Sequence, residues 1–171
     1  MTDVEGNVNT NSRPSELRIT DMRICDVRSD PLRGLILRLD TNQGISGYGD
    51  IRDGGSKTYG LLLKSRILGE NPCDVDRIFR SIKQFGHHAR QGGGVCAIEM
   101  ALMDLAGKAY GVPAYQLAGG KFRDKILCYC DTPSVSDGRQ MGQRLKERMD
   151  SGYKFLKMDV GIGLLRDLPD T

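Results

Sequence analysis

The sequence lacks an apolar run long enough to cross a membrane, and its first residues lack the basic-then-apolar pattern of a secretion signal. It also lacks a strong charge of one sign, because the net charge is only +3 and the basic residues are scattered among acidic ones. Nucleic-acid-binding proteins instead cluster their basic residues on one surface. These absences predict a cytoplasmic protein that has neither a membrane nor a nucleic acid as a partner.

Cysteine is too scarce and too irregularly spaced for a disulfide framework. The five cysteines form an odd-numbered set, which fits free thiols in a reducing cytosol. Cys128 and Cys130 are two residues apart, so they would share one face of a β-strand. We interpret this pair as core packing rather than as a metal site, because the sequence suggests no further ligands nearby.

The composition is that of an ordinary globular protein, with 39% hydrophobic and 6% aromatic residues. A chain of 171 residues can hold one domain, or one and a fraction. Residues 1–15 are polar and rich in asparagine, which predicts a disordered tail. Alternating apolar and polar residues then predict strands over 17–27, 35–39 and 45–51, joined as an antiparallel meander.

Three glycines, Gly44, Gly47 and Gly49, lie in or beside the third of these strands. Their spacing is similar to a dinucleotide-binding fingerprint, but no helical pattern opens at Gly49, as that motif requires. We therefore interpret them as hairpin and close-packing glycines.

Three segments with helical periodicity follow, at 58–68, 71–82 and 95–109. In the last of them, small residues such as Ala97 and Ala101 lie beside the apolar stripe. Small side chains on a helix face would let another helix approach closely.

The third helical segment also carries local signals of its own. Asp104 and Lys108 are four residues apart, in the acid-then-base order that stabilises a helix. Gly111 fits a C-terminal cap, and Pro113 cannot continue the helix.

The pattern changes after residue 124. A strand is predicted at 125–129, a charged amphipathic helix at 137–151 and another strand at 153–160, which together make one βαβ unit with parallel strands. A lone parallel pair leaves unpaired edges and an uncovered face. We therefore expect the sequence to be a fragment of a larger α/β protein.

Several segments carry a family resemblance in one order along the chain: Gly47-Tyr-Gly-Asp50, Gly69-Glu-Asn-Pro72 and the glycine-rich stretch 92–120. They resemble the motifs of the mandelate racemase/muconate lactonizing enzyme family of the enolase superfamily, with mild departures such as Asp50, where glutamate is commoner. The resemblance covers nearly the whole chain from Leu17.

This resemblance implies a fold of two parts. Residues 16–124 would form the N-terminal α+β capping domain, a three-stranded antiparallel meander followed by helices. Residues 125–171 would begin a (β/α)7β TIM-like barrel that is truncated here, with 126–130 as its first strand and 153–160 as its second.

The resemblance also implies catalytic residues at the end of the second barrel strand, where active-site groups of such barrels lie. Lys157 matches the first lysine of the family's Lys-x-Lys motif, and Asp159 stands in place of the second. The two residues lie on the same side of a strand, and the carboxylate would favour a charged ammonium. Our hypothesis is that Lys157 holds the substrate carboxylate or the intermediate, and that Asp159 orients Lys157 or binds substrate hydroxyls. An ordinary strand-end ion pair is the alternative.

Substrate selection in this family involves loops of the capping domain. The residues implied here are Arg28, Arg33, Arg52 and Asp53, which could contact a polyhydroxylated acid. For each of them, an exposed loop position without a ligand is the alternative.

The function implied is that of an N-terminal fragment of an Mg2+-dependent enzyme that removes the proton α to a carboxylate. We expect an acid-sugar dehydratase that acts as a homo-oligomer on a small-molecule acid-sugar carboxylate. A racemase or epimerase of the same family is one alternative, and a truncated non-catalytic product or binding module is another. In the family the metal ligands lie beyond the position of Thr171, so we expect this chain alone to bind no Mg2+ and to be inactive.

Overall fold

The computed structural model describes residues 12–29, 32–51, 56–86 and 94–160. The chain divides into two compact units, Met1–Lys121 and Phe122–Thr171. Within the described ranges, no helix is both long enough and apolar enough to span a bilayer.

The first unit contains the predicted antiparallel meander, in the order β1 (Ile19–Ser29), β2 (Leu32–Thr41) and β3 (Ser46–Ile51). Buried side chains alternate with half-buried or exposed ones over 22–25, 37–41 and 46–51, because only one face of the sheet is covered. The register shifts between Ile19 and Asp21, and this irregularity lets both Ile19 and Met22 enter the core. Gly44 has a φ of 77° in the turn before β3, which confirms its interpretation as a hairpin glycine.

Five α-helices follow within the described ranges of the first unit: α1 (Lys57–Leu62), α2 (Lys64–Ile67), α3 (Val75–Ile82), α4 (Val95–Tyr110) and α5 (Ala114–Leu117). The single helix predicted over 58–68 is wrong, because a tight turn in which the Leu63 N–H bonds to the Gly60 carbonyl divides it. The next helix begins at Val75 and not at Asn71, whose side chain and carbonyl instead form a turn with the N–H groups of Cys73 and Asp74.

The core of the first unit lies between the sheet and the helices. Helix α4 is at its centre, with Ile98, Leu102 and Leu105 completely buried. They pack in one cluster with β2 residues such as Leu37 and Leu39, which are equally buried. Gly111 ends α4 with a φ of 68°, so the predicted C-terminal cap is confirmed.

Helix α4 and strand β3 approach each other at backbone distance. A Cβ placed on Gly49 would lie 1.9 Å from the carbonyl oxygen of Ala97, and one on Gly47 would lie 2.2 Å from that of Ala101. The interpretation of Gly47 and Gly49 as close-packing glycines is confirmed. The expectation that the small face of α4 admits another helix is corrected, because here it admits a strand.

Side chains of α4 also cover the outer edge of β3. The Tyr48 N–H donates to Asp104 Oδ2 at 3.0 Å, and Lys108 Nζ donates to the Ser46 carbonyl at 2.8 Å. Asp104 and Lys108 bond to each other at 2.6 Å, as their spacing predicts. The backbone groups of this edge strand are therefore bonded to side chains of the helix that packs beside it.

The predicted disordered tail over 1–15 is wrong for its last residues, whereas residues 1–11 lie outside the described ranges. Pro14–Glu16 forms a turn of 3-10 helix, and Pro14 is buried. Amide side chains hold this segment: Asn71 Nδ2 donates to the Pro14 carbonyl at 2.9 Å, and Gln43 Nε2 donates to the Arg13 carbonyl at 3.0 Å. These partners are distant in the sequence, so local composition does not indicate them.

Asp40 on β2 is the most strongly bonded carboxylate of the sheet. Arg38 Nε donates to Asp40 Oδ1 at 2.7 Å, and Ser46 Oγ donates to the same oxygen at 2.8 Å. Arg23 Nε donates to Asp40 Oδ2 at 3.1 Å. Burial acts to raise the pKa of Asp40, but the hydrogen bonds from these three side chains outweigh it and lower the pKa to about 2.

We expect Asp40→Asn to lower the free energy of unfolding at neutral pH by about 1–2 kcal/mol. Because the folded pKa is about 2 and the unfolded value is 3.8, the stabilisation is fully present above 3.8 and is lost as the pH falls toward 2. The variant should therefore lose less stability than the wild type across that acid range. Urea unfolding at a series of pH values measures both effects, and Asp76→Asn, which breaks an exposed pair with Arg80, is the matched control. Equal acid sensitivity in the wild type and Asp40→Asn would contradict the prediction.

The second unit is a βαβ arrangement, as predicted: β4 (Cys130–Thr132), α6 (Gly138–Asp150) and β5 (Leu156–Met158), with β4 parallel to β5. Asp137 caps α6 by accepting a hydrogen bond from the Gln140 N–H at 2.7 Å. The first residue of β4 bonds to the residue before β5: the Cys130 N–H donates to the Phe155 carbonyl at 2.9 Å.

The predicted bounds of both strands are wrong. Residues 125–129 form no strand, and Ile126 and Leu127 are 72% and 77% exposed. A strand requires a hydrogen-bonded partner, and β5 offers one only over Leu156–Met158, not over the whole predicted range 153–160.

All five cysteines are free thiols. Cys128 is exposed, because it precedes β4, and Cys130 is only half-buried. The prediction that this pair packs in a core is therefore wrong.

Candidate functional site

The carboxyl ends of β4 and β5 bring together one lysine and two aspartates: Lys157, Asp131 and Asp159. Asp131 and Lys157 are opposite each other in the parallel register, and Lys157 Nζ donates to Asp131 Oδ1 at 3.0 Å. Asp159 Oδ1 lies at 3.0 Å from the same nitrogen. The pairing of Lys157 with Asp159 expected from the sequence is present, together with a second carboxylate.

Two aromatic rings lie just before these strands, one before β4 and one before β5. Tyr129 and Phe155 meet edge to face, with their ring centroids 6.3 Å apart. Lys157 Nζ lies 5.9 Å from the centroid of Tyr129. Because strand side chains repeat with a period of two, the rings and the charged groups form successive layers on one face of the β4–β5 pair.

The opposite face of the pair is covered by α6. Thr132 and Met141 are buried there, with exposed fractions of 2% and 6%. Beyond β5, Ser134 Oγ donates to the backbone carbonyl of Asp159 at 2.6 Å, which joins the segment after β4 to the segment after β5. The charged face therefore stays open while the helix supports the strands from behind.

The two carboxylates determine the charge state of the lysine. The hydrogen bond to Asp131, followed by that to Asp159, raises the pKa of Lys157 from 10.5 to about 12. At neutral pH the side chain is an ammonium group, which can bind an anion or stabilise negative charge. It cannot accept a proton, so it is not a general base in this arrangement.

Asp131 is the residue of this cluster that the sequence analysis missed. The first barrel strand was predicted to end before it, at residue 129 or 130. Only the parallel pairing of the two strands could have identified Asp131. Once the register is known, the residue opposite Lys157 in the first strand is a candidate contact. The register depends on where the strands pair, and their apolar pattern does not determine it.

Of the four residues predicted to bind substrate, the structure describes Arg28 and the backbone of Arg33. Arg28 is 71% exposed at the end of β1 and bonds to Asp26 Oδ2 at 3.3 Å. The backbone of Arg33 pairs with that of Arg28 across the hairpin. Arg52 and Asp53 lie outside the described residues. The substrate-binding role of all four stays a prediction.

The residues of this cluster do not fit a magnesium site. Over the described ranges, no group of three His, Cys, Asp or Glu side chains is placed to hold a metal ion. Asp131 and Asp159 both bond to the ammonium of Lys157, which occupies the position that a cation between them would take. Mg2+ prefers several oxygen ligands in octahedral geometry, and this pair does not offer them.

The family model for the mandelate racemase/muconate lactonizing enzyme N-terminal domain matches residues 7–119. The chain is 33% identical to a D-xylonate dehydratase of Haloferax volcanii over 159 residues, which cover 84% of this chain and 38% of that protein. It is 34% identical to a D-galactonate dehydratase of Pectobacterium atrosepticum over 142 residues, which cover 75% of this chain and 35% of that protein. The chain therefore spans well under half the length of these relatives.

A solved structure gives the same result for the fold. The chain is 25% identical to an enolase from Pantoea ananatis that was crystallised with D-gluconate and magnesium. The superposition has a TM-score of 0.70 and covers 84% of this chain and 37% of the Pantoea chain. The three-stranded antiparallel sheet and the helices that follow match the N-terminal capping domain of these proteins. The chain belongs to the mandelate racemase/muconate lactonizing enzyme family of the enolase superfamily.

Proposed function

We propose that this chain forms the capping domain and the first βαβ unit of an acid-sugar dehydratase. The reaction removes the proton α to a carboxylate and expels the β-hydroxyl as water, and the resulting enol becomes an α-keto acid. The observation that carries the proposal is the Asp131–Lys157–Asp159 cluster at the strand ends. The D-xylonate and D-galactonate dehydratases among the relatives supply the substrate class.

The cluster suits a polyhydroxylated acid. The lysine ammonium has three N–H donors, and Asp131 and Asp159 accept two of them. The remaining donor is available for the substrate carboxylate or for the negative charge that develops when the α-proton leaves. Asp159 is 71% exposed, so its free oxygen can accept a hydrogen bond from a substrate hydroxyl.

Two components of the reaction come from outside this cluster. Since Lys157 is protonated, the base that removes the α-proton is another group, for which we propose a His-Asp pair later in the barrel. We also propose that three carboxylates of the completed barrel would hold Mg2+, which would supply positive charge beside the substrate carboxylate. The homo-oligomeric state and the cytoplasmic location inferred from the sequence stay predictions.

A chimera tests the proposed function. Residues 12–160 of this chain would be joined to the remaining barrel of the Haloferax D-xylonate dehydratase, and the purified protein supplied with Mg2+. We expect α-keto acid to form from at least one of D-xylonate, D-galactonate, D-mannonate and D-gluconate. A denatured sample of the same chimera serves as the blank for spontaneous loss of water.

Deuterium oxide separates the family alternatives. Dehydration and racemization pass through the same deprotonated intermediate. A racemase or epimerase would return a deuteron to the α-carbon of that intermediate without loss of water. One result would contradict the proposal. In that result, circular dichroism shows a folded chimera, but the chimera neither exchanges the α-proton nor forms a keto acid from any of the four sugar acids.

A further inference from the structure

Asp131 is a carboxylate that the sequence motifs do not single out, and it faces Lys157 directly across the β4–β5 pair. We infer that Asp131 is the positioning residue that holds Lys157 in place as a cation, while Asp159 is the carboxylate left to contact the substrate. The role toward substrate rests on the proposed function, whereas the contact between Asp131 and Lys157 is observed within the second unit.

The two aspartates differ in how firmly the backbone holds them. Asp131 is the central residue of β4, between Cys130 and Thr132, which also pair with β5. Its partner Lys157 is the central residue of β5. The Asp131–Lys157 contact therefore joins two positions that the strand ladder fixes on both sides.

Asp159 lies beyond the last paired residue, Met158, and its backbone carbonyl accepts a hydrogen bond from Ser134 Oγ. Its side chain is 71% exposed, compared with 59% for Asp131. A carboxylate at a strand end can move toward a ligand at lower cost than one within a ladder. The geometry thus assigns different tasks to two carboxylates at the same distance from the lysine.

The charged and titratable groups that face Lys157 in the described unit are Asp131 of β4, Tyr129 just before β4 and Asp159 after β5. Lysine has a flexible four-carbon stem, so without a fixed partner its ammonium would sample many positions. Asp131 removes that freedom in advance of substrate binding. A lysine that is already in place can stabilise developing charge without reorganisation.

Amine labelling measures this contact without any substrate. An acylating reagent attacks only the neutral amine, so the labelling rate of each lysine at a fixed pH follows its fraction of free amine. The full chain would be labelled at about pH 9, and peptides containing Lys157 compared by mass spectrometry with Lys154, an exposed lysine three residues away. With a pKa of about 12 rather than 10.5, Lys157 should react about 30-fold more slowly than an ordinary lysine.

Asp131→Asn should raise the labelling rate of Lys157 about tenfold, and Asp159→Asn should raise it by less. Asp131→Glu, which keeps the carboxylate, should stay within about twofold of the wild type. The rate at Lys154 should not change in any variant. A role of Asp131 in folding alone would not produce this selective change at one amine.

Two results would overturn the inference: an unchanged rate at Lys157 in Asp131→Asn, or a larger increase in Asp159→Asn than in Asp131→Asn. Hydrogen exchange of the Cys130 amide, which bonds to Phe155, checks that the strand pair is intact. If Asp131→Asn does not fold, the Asp131→Glu variant is the test. Labelling of Lys157 in Asp131→Glu well above the wild-type rate would also overturn the inference. Turnover by the chimera tests the proposed function separately, so either can fail while the other stands.

Discussion

Gly49→Ala is expected to leave the first unit unable to fold stably, with a loss of at least about 3 kcal/mol in the free energy of unfolding. The added methyl carbon would lie 1.9 Å from the Ala97 carbonyl oxygen and 2.7 Å from its carbonyl carbon. Both are backbone atoms in the first turn of α4, so no side-chain rotation can relieve the overlap. Since the chain has no tryptophan, urea unfolding followed by far-ultraviolet circular dichroism is the appropriate measurement.

The matched control is Gly34→Ala, which adds the same methyl group to the same sheet. Its Cβ would lie 3.8 Å from Asp50 Oδ1, an ordinary van der Waals contact. We expect this variant to unfold within about 1 kcal/mol of the wild type. If the two variants were equally stable, the close approach of β3 to α4 would not be the reason for glycine at position 49.

Lys157→Ala is expected to abolish turnover in the chimera that tests the proposed function, a loss of at least about 100- to 1,000-fold in kcat. The substitution removes the only cation bonded to both Asp131 and Asp159 in the described unit, and it leaves two like charges at the site. The loss should appear in kcat more than in KM, because the ammonium stabilises charge that develops during the reaction. Steady-state measurement of α-keto acid formation gives both constants.

Lys154→Ala is the control for this prediction, because it removes an exposed lysine from the segment just before the same strand. Its kcat should match that of the parent chimera within about twofold. Retention of most of the turnover in a folded Lys157→Ala chimera would show that Lys157 and Asp159 are an ordinary strand-end ion pair. In that case the catalytic assignment of Lys157 would be withdrawn.

The parts of the fold that could be predicted from the sequence are those that depend on short-range patterns. Alternation indicated the meander, helical spacing indicated α4, and Gly111 marked its end. The parts that could not be predicted depend on a partner elsewhere in the chain. The segment at Pro14 is held by Asn71 and by other amides far along the chain, although its own composition is that of a tail.

The same distinction applies to the candidate site. Lys157 and Asp159 could be identified from a motif position and a spacing of two residues. Asp131 could not, because its importance follows from the parallel register of β4 and β5, and the paired region is shorter than the apolar runs suggest. Strand propensity is strongly dependent on context, and the ends of these strands are where their mutual pairing stops.

The contact between β3 and α4 has a consequence for the order of events during folding. The meander and the helix are each local in sequence, but the Tyr48–Asp104 and Ser46–Lys108 bonds join residues 56 and 62 positions apart. The entropy of closing that long loop is lost before the bonds can form, which makes docking of the helix onto the third strand the natural slow step. Until then the outer edge of β3 is open to other chains, so the time a newly made molecule spends before docking is also the time during which it is most prone to aggregate.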